Sequence, residues 1–556
     1  MTHSKASVAT ESYRASRLRI WLIPFTVLLA AAVALLASTL WVDTHLLGGS
    51  APVLFQMFHP NPTAAANTLG NAGEIVAAVL AIALTVVSII VELASNRYTH
   101  RVTELFVSEP INFLVMSLFV LTAVQSLWVT MAIDASRTEP FIPYFSVGVT
   151  MALLTVCLLI LLPYFAFVFA FLNPIQIVDR ICRHTLRVIA RPGRKSLGLR
   201  KLEAIRGVEQ LADVAVNAME HRDKGVSMAS VHALKQLLLD YQGLRAGLPE
   251  PWFRLEDELV RNPDFVSMDA QVLAEVASRK AWFEMKVLRQ YQTIYGEALH
   301  RMRDISYVVA IDTRLIAEQA QKRDDAALLH LCMKFINTYL RAAINAKDVR
   351  TAYNVFNQYR LLAQSLLSAK EGAYTIEIAR YFKYYGLISY GANLPFILET
   401  VAYDLCALCE LAYERGSPVL PELLRILLRV DKESDSAVQE QSLRGVRKAQ
   451  VKLATFFLLR DEPERARQIY NDMASDDLTR LASIRDELIS VRAPEYWEII
   501  DRGTNFDYLP AERRGYLDEF FNWFEGLPRA RSAFSSSAPS APGQTMMGPD
   551  PKHDEA

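Results

Sequence analysis

Glu74, Ala78, Ala81, Thr85, Ser88 and Glu92 recur at spacings of 4, 3, 4, 3 and 4 residues. On a helix that rhythm places all six on one face. The face is small and hydroxylated along its middle, with a carboxylate at each end. Two roles fit it. In a membrane, small residues let helices approach closely and hydroxyls hydrogen-bond across the interface. Ala78, Thr85 and Ser88 would then form a packing seam. Alternatively they line a pore between several copies, with Glu92 forming a ring at the inner mouth that favours cations. A second polar face, Thr122, Gln125, Ser126 and Thr130, lies further along. Burial of the first face against Gln125 would favour the seam. A water-filled axis would favour the pore.

Other reactive side chains carry less. Cys406 and Cys409 form a CxxC inside an apolar helical stretch. A zinc site wants four ligands and a redox pair wants a helix N-terminus, so two buried thiols are expected. His221, Arg222 and Asp223 mimic a kinase triplet, but no glycine loop or metal-binding asparagine accompanies them. His100 sits between Arg97 and Arg101, where an interfacial anchor is expected rather than a pH sensor. No phosphate loop, dinucleotide fingerprint or nucleophile elbow occurs. No catalytic residues, cofactor or metal are expected, and the chain is not expected to be an enzyme.

The elements that position these residues are apolar and front-loaded. Segments at about 20–42, 73–94, 111–133 and 144–172 contain long charge-free runs, and none follows. A helix needs roughly 20 apolar residues to cross the hydrocarbon core. The first run is also too long for a cleaved signal core of roughly 7–15 residues. A transmembrane domain is expected over 19–172, after a short arm at 1–18.

Lys and Arg set the orientation. They gather in the arm, at Arg97 and Arg101, and again after the fourth span, whereas 43–74 has none. Both termini are therefore expected inside. Asn173-Pro174 opens a basic amphipathic helix, and 173–195 is expected to lie on the inner leaflet and then act as a linker. Arg97, Arg101, Arg180, Arg183, Arg187 and Arg191 are candidate contacts to anionic headgroups.

Residues 196–528 are charged and amphipathic, with helical periodicity throughout. Hairpin turns are expected at Lys347-Asp348, Gly391 to Asn393 and Asp461 to Pro463. The fold class is all-α: a four-helix transmembrane bundle followed by a helical cytoplasmic domain. An irregular α-solenoid is expected there, with a compact helical domain as the alternative. Residues 529–556 are rich in Ser, Pro and Gly and are expected to be disordered. Lys plus Arg total 59 against 60 Asp plus Glu, so nucleic acid is not an expected partner.

The stretch Glu92 to Phe106, with Leu93-Ala94-Ser95 and Arg101-Val102, leads into Asn112 to Phe119. It resembles a bacterial predicted membrane protein family catalogued only as a domain of unknown function. The resemblance spans roughly 15–240. Glu92 stands where the family pattern has an uncharged polar residue, and Glu220 to Gly225 lacks its Asn-Asp-Pro turn. The resemblance implies N-terminal spans, a cytoplasmic helical part and a bacterial inner membrane, but no reaction. The expected function is a membrane-anchored interaction or scaffold protein. The alternative is a homo-oligomeric ion channel gated by its cytoplasmic helices. The expected partners are the bilayer with its anionic headgroups, further copies of the chain, and a cytoplasmic protein.

Overall fold

The structure is a computed structural model. It describes residues 26–46, 62–98, 103, 106–107, 109–133, 142–190, 197–367, 372–430, 438–494 and 505–527. The arm, His100, Arg101, Arg191 and the 529–556 tail lie outside the described residues. The described residues contain helices and turns but no strand. The chain divides into two compact units, 1–319 and 320–556. That division falls inside the 196–528 region rather than at the 173–195 junction.

Unit one opens with four helices long and apolar enough to cross a membrane: α1 (Thr26–Leu46), α2 (Pro62–Arg97), α3 (Pro110–Ala132) and α4 (Tyr144–Phe171). α2 is longer than its charge-free stretch, because Thr63 to Asn71 continue the helical pattern outward. α4 runs through Pro163 without ending. The interior is closed by Val76, Val87, Val115, Phe119, Cys157, Tyr164, Val168 and Phe171. An apolar cavity beside Phe119 and Leu161 measures about 10 Å³, room for no more than one water.

Asp43 closes the other end. It is 2% exposed. Its carboxylate accepts from the backbone N–H groups of Phe145 (2.7 Å) and Ser146 (2.9 Å) and from the Ser146 hydroxyl (2.6 Å). The first N–H groups of any helix lack intrahelical partners. Here the end of α1 supplies them for α4, where Pro143 at the cap position has no side-chain acceptor.

Helix α5 (Pro174–Ala190) follows α4 directly, then α6 (Leu197–Glu220) and α7 (Lys224–Leu244). The apolar side of α5, Ile177, Val178, Ile181 and Ile189, is buried, and α5 packs on α6 and α7. The expected inner-leaflet contact through that face is therefore replaced by protein packing. A Cβ at Gly207 would fall on Thr185 of α5, so glycine permits the close crossing of α5 and α6.

Short helices α8 (Asp257–Val260), α9 (Pro263–Val266) and α10 (Ala270–Ser278) lead into α11 (Trp282–Arg301) and α12 (Arg303–Lys322). Lys286 on α11 is essentially fully buried and ties them down. Its ammonium meets Asp264, Glu209 (2.6 Å) and Asn262 (3.0 Å). Lys201, also buried, holds Arg254 O at 2.8 Å and Glu256 at 3.0 Å.

Unit two holds α13 (Ala326–Asn345), α14 (Val349–Ser365), α15 (Gly372–Gly391), α16 (Pro395–Glu414), α17 (Leu420–Leu427), α18 (Val438–Leu459), α19 (Pro463–Met473), α20 (Leu478–Ser490) and α21 (Arg514–Phe521). All three expected hairpin turns occur. Asp324, Lys347, Asn393, Gly416 and Asp461 adopt positive φ. In each turn the next residue's N–H donates to the carbonyl five residues back, as at Asp348 N to Ala343 O, 3.0 Å. These turns are 23, 46, 23 and 45 residues apart. The helices form two layers. α13, α15 and α17 contact in turn, and α14, α16 and α18 do likewise. Contact with the next helix and the next but one is the packing of an α-solenoid. Its step is near 23 residues per helix, not the 17 that a 34-residue repeat would give.

Candidate functional site

Val76, Ala83, Val87 and Val91 form the face that α2 buries in the bundle. Glu74, Ala78, Ala81, Thr85, Ser88 and Glu92 lie opposite it, and all six are exposed. Thr85 satisfies its own hydroxyl on Ala81 O at 2.8 Å. Gln125 is fully buried on α3, where its amide donates to Thr39 of α1 at 3.3 Å. Ser126 donates to Leu69 O, and Gly73 lets the two helices close to that distance. The α3 polar face is thus an internal seam, made with a different face of α2 from the one carrying Ser88. The structure does not bring Ala78, Thr85, Ser88 and Glu92 together with Gln125. Within one chain the first four border neither a seam nor an axis.

The arginines divide similarly. Arg180 of α5 stands 4.0 Å over the Phe171 ring and 3.5 Å from Glu109, which precedes α3. Arg97 pairs with Asp223 at 3.6 Å. Both therefore hold the helical part to the end of the bundle where α2 finishes and α3 begins. Asn217 of α6 adds a 2.8 Å bond to Tyr98 O. Arg183 pairs with its neighbour Asp179 across one helical turn, and Arg187 donates to Arg183 O. These two are exposed.

His221-Arg222-Asp223 is the turn between α6 and α7. Arg222 takes positive φ and Asp223 caps α7 through Val226 N. Cys406 and Cys409 are buried within α16, and burial pushes both thiols up, which suits packing rather than exchange.

Two arrangements escaped the sequence reading. One is Asp43, whose only linear signal is a lone acid just beyond the first span. The other is a polar and aromatic surface on α16 and α18. There Lys448 bonds Glu487 and Asp507, both at 2.9 Å. Burial, then repulsion from Asp507, pushes the Glu399 carboxyl up to about 7, against the pull of Lys448. Burial lowers Lys452 to about 8. These residues lie on four segments separated in sequence, so no local spacing announces them.

Among the described residues no group of His, Cys, Asp and Glu has a metal-holding arrangement. No curated protein and no solved structure matches the chain. Residues 17–225, which contain all four apolar helices, α5, α6 and the turn between α6 and α7, match the family model described as "Predicted membrane protein (DUF2254)", and this part of the chain is similar to that membrane-protein family.

Proposed function

We propose that this chain is a membrane-anchored scaffold of the bacterial inner membrane. Its termini face the cytoplasm, and its helical solenoid recruits a protein partner there. The observation that carries this reading is the attachment of α5 to α7 to the end of the bundle where α2 finishes and α3 begins. Arg180 to Glu109, Asp223 to Arg97 and Asn217 to Tyr98 O are three separate polar links to it, and α5 spends its apolar face on protein rather than lipid. Such a base suits display of a binding surface more than a catalytic step. The Lys and Arg distribution supports the orientation. Arg183 and Arg187 face the anionic headgroups. Affinity purification of the detergent-solubilised full chain is expected to recover one partner at fixed stoichiometry. Repeated recovery of the chain alone overturns the reading.

A second reading is favoured by the outward face of α2. Hydroxyls and carboxylates directed away from a bundle gain partners when copies assemble around them. A homo-oligomer with Thr85, Ser88 and Glu92 around a shared axis would conduct cations, gated by the helical domain. Purified protein in planar bilayers is then expected to conduct, with Glu92→Gln reducing cation selectivity several-fold. A silent bilayer with monodisperse monomers removes this reading.

A further inference from the structure

The solenoid layer formed by α14, α16 and α18 is not bare. Asn505–Leu509 turns across it without forming a helix. Phe506 stacks on Tyr403 of α16, with centroids 4.5 Å apart and 9° between the planes. Tyr353 of α14 and Phe396 of α16 complete the slot, each 6.5 Å from the same ring. Asp507 accepts from Lys448 at 2.9 Å and from the Tyr403 hydroxyl at 3.3 Å. Lys452 donates to the Phe506 carbonyl at 2.6 Å and stands 5.3 Å over the Tyr403 ring.

Three features distinguish this contact from ordinary core packing. Residues 505–508 all remain partly exposed, whereas Leu509 beyond them is fully buried. The strap is read by one aromatic slot, two cations and a backbone bond, a directional set of the kind that concentrates binding energy at interfaces. Lys448 is also held by Glu487 at 2.9 Å, a contact that does not involve the strap. A site held in its binding geometry loses less on association.

We propose that this layer is a peptide-binding groove for a partner segment carrying an aromatic residue followed by an acidic one. In the isolated chain its own Phe506-Asp507 occupies the groove as an internal competitor. Lys448 meets the acidic residue of the segment and Lys452 the backbone carbonyl before it, as they do for Asp507 and Phe506. The inference rests on the scaffold reading and names the surface through which the partner docks. The strap belongs to the same chain and continues into the fully buried Leu509, so it has a standing advantage over a free peptide, and an external segment binds with apparent affinity reduced by the fraction of open groove.

The test uses the full-length protein in detergent and a fluorescein-labelled peptide of residues 503–510, followed by anisotropy. Phe506→Ala combined with Asp507→Asn vacates the groove. This variant is expected to bind the peptide at least about tenfold more tightly than wild type. Asp507→Asn alone, the gentler change, is expected to fall between them. Lys448→Met in the vacated background, or alanine in place of the peptide's phenylalanine, is expected to weaken binding about tenfold. Absence of binding to the double variant overturns the proposal. So does equal affinity for wild type and variants, or binding indifferent to Lys448→Met. Partner recovery from cells is a separate readout, so failure of the groove leaves the scaffold reading to its own test.

Discussion

Lys286→Met is expected to destabilise unit one by about 3–5 kcal/mol, the cost of stranding buried charge. The ammonium is 1% exposed and neutralises Asp264, itself only 15% exposed, together with Glu209 at 32%. Methionine fills the volume but leaves two carboxylates facing each other. Gln290 still donates to Asp264, but it carries no charge. The segment from α8 to α10 should therefore loosen first, because Asn262 and Asp264 fix it to α11. Hydrogen exchange across 257–266 is the direct measurement, with the change in melting temperature as its global counterpart. A double-mutant cycle with Asp264→Asn should show positive coupling, the second substitution recovering part of the loss. Unchanged exchange in the variant would mean that packing alone holds the segment.

Asp43→Ala is expected to cost about 2–4 kcal/mol, from the loss of charge-assisted bonds to a helix N-terminus. The loss exceeds that of an ordinary cap because Asp43 joins two spans. Its removal leaves the N–H groups of Phe145 and Ser146 without the acceptor supplied by α1. The positive end of the α4 dipole also loses its counter-charge. A drop in melting temperature of roughly 3–6 °C follows for a unit of this size. It can be read in detergent by a thiol-reactive dye that reports exposure of buried Cys157. Asp43→Asn keeps an acceptor but not the charge, and should lose about half as much. A melt identical to wild type in both variants would show that α1 contributes no capping energy.

The four long apolar helices, the all-helical class and the hairpin turns were legible in the sequence because their causes are local. Span length follows from hydrocarbon thickness. A turn such as Lys347-Asp348 follows from a residue that tolerates positive φ beside an Asp that caps the next helix. The face of α2 that would pack was not legible in this way. Both of its faces keep helical spacing and both carry small residues, Ala72 and Ala83 on one, Ala78 and Ala81 on the other. Which one packs depends on what α3 presents, and Ser126 reaching Leu69 selects the first. The apolar side of α5 was visible as a stripe. Whether lipid or protein would cover it was not, since apolar burial has no direction of its own. The Lys286 cluster, the Asp43 cap and the slot around Phe506 each join segments far apart in the chain. Periodicity shows that a helix has a face to bury. Only the tertiary structure decides what meets it, because that choice is made by partners distant in sequence.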